Sequence, residues 1–374
     1  MSRNEADRVD EVRELPVSRS TPGRHREFAV VVVALSVGLL IVAASLRQHD
    51  GDIAGMLALG QDNPELVAHV ESVLAREVST VEFLGHDGKY FFLQALDPFY
   101  LSPSEHAVYL DRPLYRAQRM LYPTIASVGG LLPAELVLWT MALTKVAALA
   151  VGTVAAARLS RQLGGSRWWG LAFLLNPGVI FEFDLAGAGV VGFAAALCGT
   201  ALLEEGRYRS AVAWFTAAVL AREALLLYVA GVCLYRLWQT HRIPWLLGAV
   251  PASSAVAWAA YLRFRLDSPD GVTEVQEFGP PFKGMLDSLE NWVDDPVYLA
   301  AIGGLVVVMP LLLVHAWRRP SALAFGAIGF VLMAVLMTQQ VWWRFSDISR
   351  AIAPVVTAYI ITAFSPQTSH KKPG

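Results

Sequence analysis

The sequence predicts an all-α polytopic membrane protein with about ten transmembrane helices (roughly nine to eleven). Three observations carry that expectation. Of its 374 residues, 55% are hydrophobic and only 17% are charged, against about 25% charged in soluble domains, and the mean hydropathy is +0.45. Apolar runs close to the roughly 20 residues that cross a bilayer recur along the whole chain. The basic residues between them fall on one set of connections and the long acidic stretch falls on the other.

Residues 1–27 are polar, mix acids with arginines, and read as a disordered cytoplasmic tail. The run 28–46 follows Arg24 and Arg26. Ala43, Ala44 and Ser45 are small enough for a signal cleavage site, but the length of the run and the tail before it favour an uncleaved anchor. Residues 47–118 then form a first external loop. Within it Asn63 can cap a helix, Pro64 suits its first turn and Glu65 complements its dipole. Leu66, Val67, Val70, Val73 and Leu74 share one face, opposite Glu71 and Arg76, as in a helix lying on a bilayer surface. A short helix over 89–96 is stopped by Pro98. Asp111 can cap a third helix with Pro113 in its first turn, on which Arg112, Arg116 and Arg119 form one basic stripe. Residues 120–132 are apolar but too short to span, and are expected to dip into the membrane or lean on the next helix.

Further apolar runs follow at 134–157, 168–183, 185–203, 210–220, 224–238, 244–262, 297–317, 321–341 and 348–364. The pair 210–220 and 224–238 reads as a hairpin around Arg222 and Glu223, or as one continuous helix. Arg158, Arg161, Arg167, Arg207, Arg209, Arg236, Arg242, Arg318, Arg319, Lys371 and Lys372 share a side with Arg24 and Arg26, which the distribution of basic residues makes cytoplasmic. A second external loop, 263–296, carries Asp267, Asp270, Glu274, Glu277, Asp287, Glu290, Asp294 and Asp295. The transmembrane domain thus covers 28–365, followed by a tail at 366–374. The expectation is a multi-pass plasma-membrane protein with both termini cytoplasmic.

Several classes are disfavoured. No basic tract is interleaved with exposed aromatics, so no nucleic-acid partner is expected. Cys198 and Cys233 lie in apolar runs and read as small buried residues. Walker, nucleophile-elbow, HExxH and CxxC patterns are lacking, as are the paired broken spans of a secondary transporter.

The chemistry concentrates between His86 and Pro123. Asp87, flanked by His86 and Gly88 and followed by Tyr90, Phe91 and Phe92, either makes a loop turn or projects into a partly apolar cavity. In such a cavity its proton affinity rises and it can act as a general base. The arginine stripe matches a phosphate by bidentate hydrogen bonds, lipid phosphates being nearest; the alternatives are snorkelling or pairing with the acidic second loop. Lys145 lies mid-span, and Arg222 and Glu223 are expected to face the bundle interior and pair there or with other groups. Asn176-Pro177 breaks a helix ending in Glu182, Phe183 and Asp184, whose carboxylates either face the same cavity as Asp87 or mark a helix end at water. Trp342 and Trp343 suit an aromatic belt, with Arg344 and Arg350 available to a phosphate.

These residues resemble a known family. A first span, a long external loop with an acidic motif and many later spans resemble the GT-C fold glycosyltransferases, integral membrane enzymes that use polyprenyl-phosphate-linked sugars. HDGKYFFLQALDP is similar to the Asp-Gly-x-x-Tyr/Phe first-loop motif of bacterial mannosyltransferase-like members and of GPI mannosyltransferases. DRPLYRAQRMLYP resembles the segment that follows it in bacterial relatives, and NPGVIFEFD more weakly resembles their Asn-Pro motif. His86 stands where an aromatic is common, and the Asn-Pro segment lacks a Ser/Thr-Glu ending.

The resemblance implies transfer of a sugar, mannose being the first to consider, from a polyprenyl-phosphate donor to an acceptor hydroxyl on the external face, with inversion. Asp87 maps onto the general base. Arg112, Arg116 and Arg119, with Arg344 behind them, would hold the departing phosphate. His86, Tyr90, Gln118, Tyr122, Arg222 and Glu223 are supporting candidates. No cofactor is firmly implied. Some members use a divalent cation, magnesium or manganese, for which Asp87 with Asp97, Glu182 or Asp184 would offer oxygen ligands. The partners are the lipid-linked donor, the bilayer, and a glycan, lipid or protein acceptor. A second class is a non-catalytic lipid-phosphate-binding protein, or a transporter of lipid-linked sugar, that uses the stripe without a base.

Overall fold

The computed structural model describes residues 22–82, 85–266 and 277–365, with side chains from 28 onward. The expected tail segments 1–21 and 366–374 lie outside these residues, as do Asp267, Asp270 and Glu274 and the side chains of Arg24 and Arg26.

The first helix, α1 (Pro22–Gln48), delivers the chain to a folded loop. Asp52 caps a short turn by accepting Ala54 N at 2.8 Å and also takes Arg76 Nη2 at 2.9 Å. Two short parallel strands, β1 (Leu59–Gly60) and β2 (Thr80–Val81), bracket α2 (Pro64–Leu74). Asn63 Oδ1 accepts Leu66 N at 3.1 Å, and Leu66 and Val70 are the face α2 buries, so cap and amphipathic face are as the sequence reads. The next helix, α3 (Gly88–Leu96), ends just before Pro98.

The third loop helix is a correction. After α4 (Pro103–His106), α5 is only Pro113–Arg116, with Arg112 rather than Asp111 in the cap position. Asp111 does not cap it, because its carboxylate is occupied by Arg112 N and the Arg116 guanidinium. A stripe through Arg119 needs the helix to continue for three more residues, nearly one turn, so the three arginines diverge. Next, α6 (Leu121–Ala126) leans on α7 (Ala134–Gln162), with the Tyr122 hydroxyl donating to Met141 O at 3.3 Å.

The apolar run 168–183 is broken at Asn176-Pro177, as the sequence reads, into a 3-10 turn, α8 (Leu171–Leu174) and α9 (Pro177–Asp184). Asn176 stabilises the break: its Oδ1 accepts Gly178 N, and its Nδ2 donates to Ala353 O and Thr357 Oγ1. Then come α10 (Gly189–Glu204), α11 (Tyr208–Ala221) and α12 (Leu225–Thr240). Arg222 reaches Glu182, whereas Arg236 donates to Leu203 O at the far end of α10. α11 and α12 therefore run in opposite directions, a hairpin rather than one helix. The chain closes with α13 (Trp245–Arg265), α14 (Lys283–Asp287), α15 (Pro296–Arg318), α16 (Ala322–Leu336), α17 (Gln339–Trp342), α18 (Phe345–Ala351) and α19 (Ala353–Ala363).

Among the described residues, four segments are long and apolar enough to cross a membrane: Phe28–Gln48, Ala134–Gln162, Trp245–Arg265 and Pro296–Arg318. α10, α16 and α19 are apolar but shorter. α7 packs against α1 and α10, α10 against α11, α12 against α16, and α19 against α15 and α16. α10 is buried nearly all round and rich in Gly and Ala, which lets helices approach closely where lipid offers no hydrophobic drive between them. The two long connections meet at one end, where Arg265 donates to Tyr100 O at 2.9 Å and Arg112 pairs with Glu277 at 3.4 Å. Arg158, Arg161 and Arg167 gather at another site beside Val30 of α1.

Candidate functional site: a carboxylate among three arginines

Asp87 precedes the first residue of α3, so its carboxylate leaves the helix at its N-terminal end and makes no capping bond. It is met instead by three guanidinium groups. Arg116 Nη1 donates to Asp87 Oδ1 at 2.6 Å; Arg350 Nη2 lies 3.4 Å and Arg119 Nη1 3.8 Å from Oδ2. Gly88 is required for close approach here: a Cβ would sit 2.7 Å from the Ala186 Cβ and 3.0 Å from Leu57 O.

Each arginine is held by a further carboxylate. Arg116 forks onto Asp111 through Nε at 2.8 Å and Nη2 at 2.9 Å, and its guanidinium lies 4.5 Å above the Tyr90 ring. Arg119 forks onto Glu223 at 3.2 and 3.0 Å. Arg350 Nε lies 3.1 Å from Glu182 Oε1, and its Nη1 is 3.4 Å from Asp347. Arg222 Nη1 donates to the same Glu182 oxygen at 2.7 Å, while Gly189 N donates to the other. Asp87, Asp111, Glu182, Glu223 and Asp347 thus face Arg116, Arg119, Arg222 and Arg350, one negative charge in excess when all are ionised.

The electrostatics reverse one expectation. Burial alone pushes the Asp87 carboxyl up, but Arg116, Arg350 and Arg119 outweigh it and hold it well below the usual carboxylate range. Asp87 is therefore a pinned carboxylate of low proton affinity. Asp347 goes the other way: burial raises it, Asp87 adds to that, and Arg350, Arg344 and His86 do not compensate. The His86 imidazole is pushed down by burial and by Arg350, against the pull of Asp347 and Asp87. The Tyr90 hydroxyl is pushed up to about 12 by burial and by Asp111.

The sequence candidates divide accordingly. Arg116, Arg119, Glu182, Arg222 and Glu223 join Asp87 in the network, and His86 and Tyr90 flank it. Arg112 departs to Glu277, the acidic-loop pairing that was the alternative reading of the stripe. Arg344 is exposed and lines a cleft with Asp347. Tyr122 is a fully buried packing residue, and the half-buried Gln118 makes no side-chain hydrogen bond within the described residues. Asp184 is exposed at the end of α9 and forms no ion pair with the arginines of the network. Lys145 is buried with Nζ on Phe183 O at 2.6 Å, fixing the turn that presents Glu182. Arg350, Asp347 and Asp111 carry more of the site than the sequence reading gave them. The signal for Arg350 was its spacing behind Trp342 and Trp343, 263 positions from Asp87.

A divalent cation does not fit these residues. Both Asp87 oxygens face guanidinium groups, and both Asp97 oxygens accept backbone amides of Leu101 and Ser102 at the other end of α3, about 15 Å away by helical rise. Among the described residues no three His, Cys, Asp or Glu side chains are grouped to hold a metal ion. No family model, curated protein or solved structure matches the chain.

Proposed function

We propose that this protein is an integral membrane glycosyltransferase of GT-C type. It transfers a sugar, mannose first among candidates, from a polyprenyl-phosphate donor to an acceptor hydroxyl on the external face, with inversion. The shorter helices α10, α11, α12, α16 and α19 and the broken 168–183 segment complete about ten passes beside the four long ones. Both termini are cytoplasmic, by the distribution of Arg and Lys.

The observation that carries the reading is the convergence of Arg116, Arg119 and Arg350 on Asp87. Buried ion-pair networks of this size are weak devices for stability, since packed apolar residues serve as well; they are common where charge must be handled. A lipid phosphate entering beside Asp87 competes for its guanidinium groups through planar bidentate bonds. As those bonds transfer to the phosphate, Asp87 loses the charges that suppress its proton affinity and becomes a competent base. The acceptor oxygen then gives its proton to Asp87 and bonds to the anomeric carbon. The bond from that carbon to the phosphate oxygen breaks, and its electron pair stays on polyprenyl phosphate, whose charge the arginines stabilise.

Release of free polyprenyl phosphate from a labelled donor tests the reading, and separates it from a lipid-binding scaffold or a transporter, which release none. Arg116→Ala is expected to weaken donor dependence about tenfold to a hundredfold, the scale of one charge-assisted bidentate contact. An unchanged donor KM would return Arg116 to a structural role.

A further inference from the structure

Beside the charge network lies a cleft of about 440 Å³ lined by Gln339, Gln340, Trp343, Arg344 and Asp347. Its volume is within the ~300–1,000 Å³ of small-ligand sites. The cavity inside the network, lined by Glu182, Arg222 and Arg350, holds only about 10 Å³, room for a water molecule at most. A substrate ring therefore has space in the cleft and none in the network as it stands.

The geometry points to this cleft as the binding site for a pyranose ring of the acceptor, making the acceptor a glycan. The inference rests on the transferase reading above, which leaves the acceptor class open. Four contributions carry it. Trp343 is 47% exposed while its neighbour Trp342 is buried at 1%, with Nε1 on Ala334 O. One of the paired tryptophans is thus a packing residue and the other presents its ring. An indole face is electron-rich and attracts the polarised C–H face of a sugar, whose opposite face and rim carry hydroxyls. The rim finds partners in the exposed Gln340 amide, the exposed Arg344 guanidinium and the Asp347 carboxylate, so donors and acceptors are both present. Finally, Asp347 touches Arg350, and Arg350 touches Asp87, so a hydroxyl held at Asp347 lies at the edge of the reacting cluster. The backbone supports the platform: Trp343 O accepts the Tyr298 hydroxyl at 3.3 Å, which fixes the chain without using the indole.

An aromatic-belt tryptophan, the plain alternative, sits among lipid headgroups and needs no such neighbours. The two readings separate in one experiment on the purified full-length protein in detergent. A panel of methyl glycosides, methyl α-D-mannopyranoside among them, is tested by saturation-transfer NMR against wild type, Trp343→Ala, Trp343→Phe and Gln340→Ala. The inference predicts binding to wild type, about a tenfold loss in Trp343→Ala, and partial rescue in Trp343→Phe. In the transfer assay Trp343→Ala should raise KM for the glycan acceptor and leave KM for the lipid donor unchanged. Equal binding by wild type and Trp343→Ala, or no binding by any glycoside, overturns the glycan site even if polyprenyl phosphate is released. Trp343-dependent binding without any release upholds the cleft and refutes the transferase.

Discussion

Asp87 gathers more opposite charge than a carboxylate needs for structural pairing, and Asp347, two contacts away, gathers less. Their environments push their proton affinities apart, an arrangement recurrent in acid–base sites. Because Asp87 is depressed, its stabilising contribution is present above the ordinary carboxylate range and is lost only as pH falls through its low folded value. Asp87→Asn should therefore lower stability at neutral pH by about 2 kcal/mol, leaving Arg116 and Arg350 short of a counter-charge. Thermal unfolding in detergent measures this, and an unchanged Tm would mean that the contact is loose in solution. For Asp347 the sign is opposite. Its raised folded value favours folding at acid pH, and that advantage disappears as pH rises through it. Asp347→Asn should gain stability relative to wild type as pH is raised from about 3 to neutral; a constant difference across that range would contradict the assignment.

At the scale of elements, the site depends on α9 and α18 approaching closely enough for Glu182 to meet Arg350. Gly178 sets that approach: a Cβ there would lie 2.0 Å from Ser349 O and 2.9 Å from Arg350 N. Gly178→Ala should force the helices apart, lengthen the 3.1 Å contact between Arg350 and Glu182, and cost about 1–3 kcal/mol by overpacking. Unchanged unfolding of that variant would show that the helices slide freely. The elements also show why legibility was uneven. α2 and α3 were readable because their signals are local: Asn63-Pro64-Glu65 caps one and Pro98 stops the other. The arginine spacing at 112, 116 and 119 was equally regular, yet the helix ends at Arg116, where tertiary partners claim each side chain: Glu277 takes Arg112, Asp87 takes Arg116 and Glu223 takes Arg119. Periodicity predicts a face only where the backbone stays helical, and partners from distant segments leave no local trace. Arg350 illustrates the same limit, since nothing near it in sequence indicates a contact with Asp87.

Over the whole molecule, composition and apolar runs were sufficient for the class: a helical protein whose long helices suit a membrane. They were less informative about span lengths, because α10, α16 and α19 are shorter than a full crossing; the break at Asn176-Pro177 was legible, but the hydrogen bonds to α19 that hold it were not. The two long connections pack together at the end that carries the Asp87 network, so the proposed donor and acceptor sites would share one end of the bundle. The measurement that tests the central proposal most directly is release of free polyprenyl phosphate from a labelled polyprenyl-phosphate mannose, comparing wild type with membrane-inserted Asp87→Asn. The proposal predicts release with transfer by wild type, and none above background by Asp87→Asn at equal donor occupancy. Equal release by both proteins would contradict it.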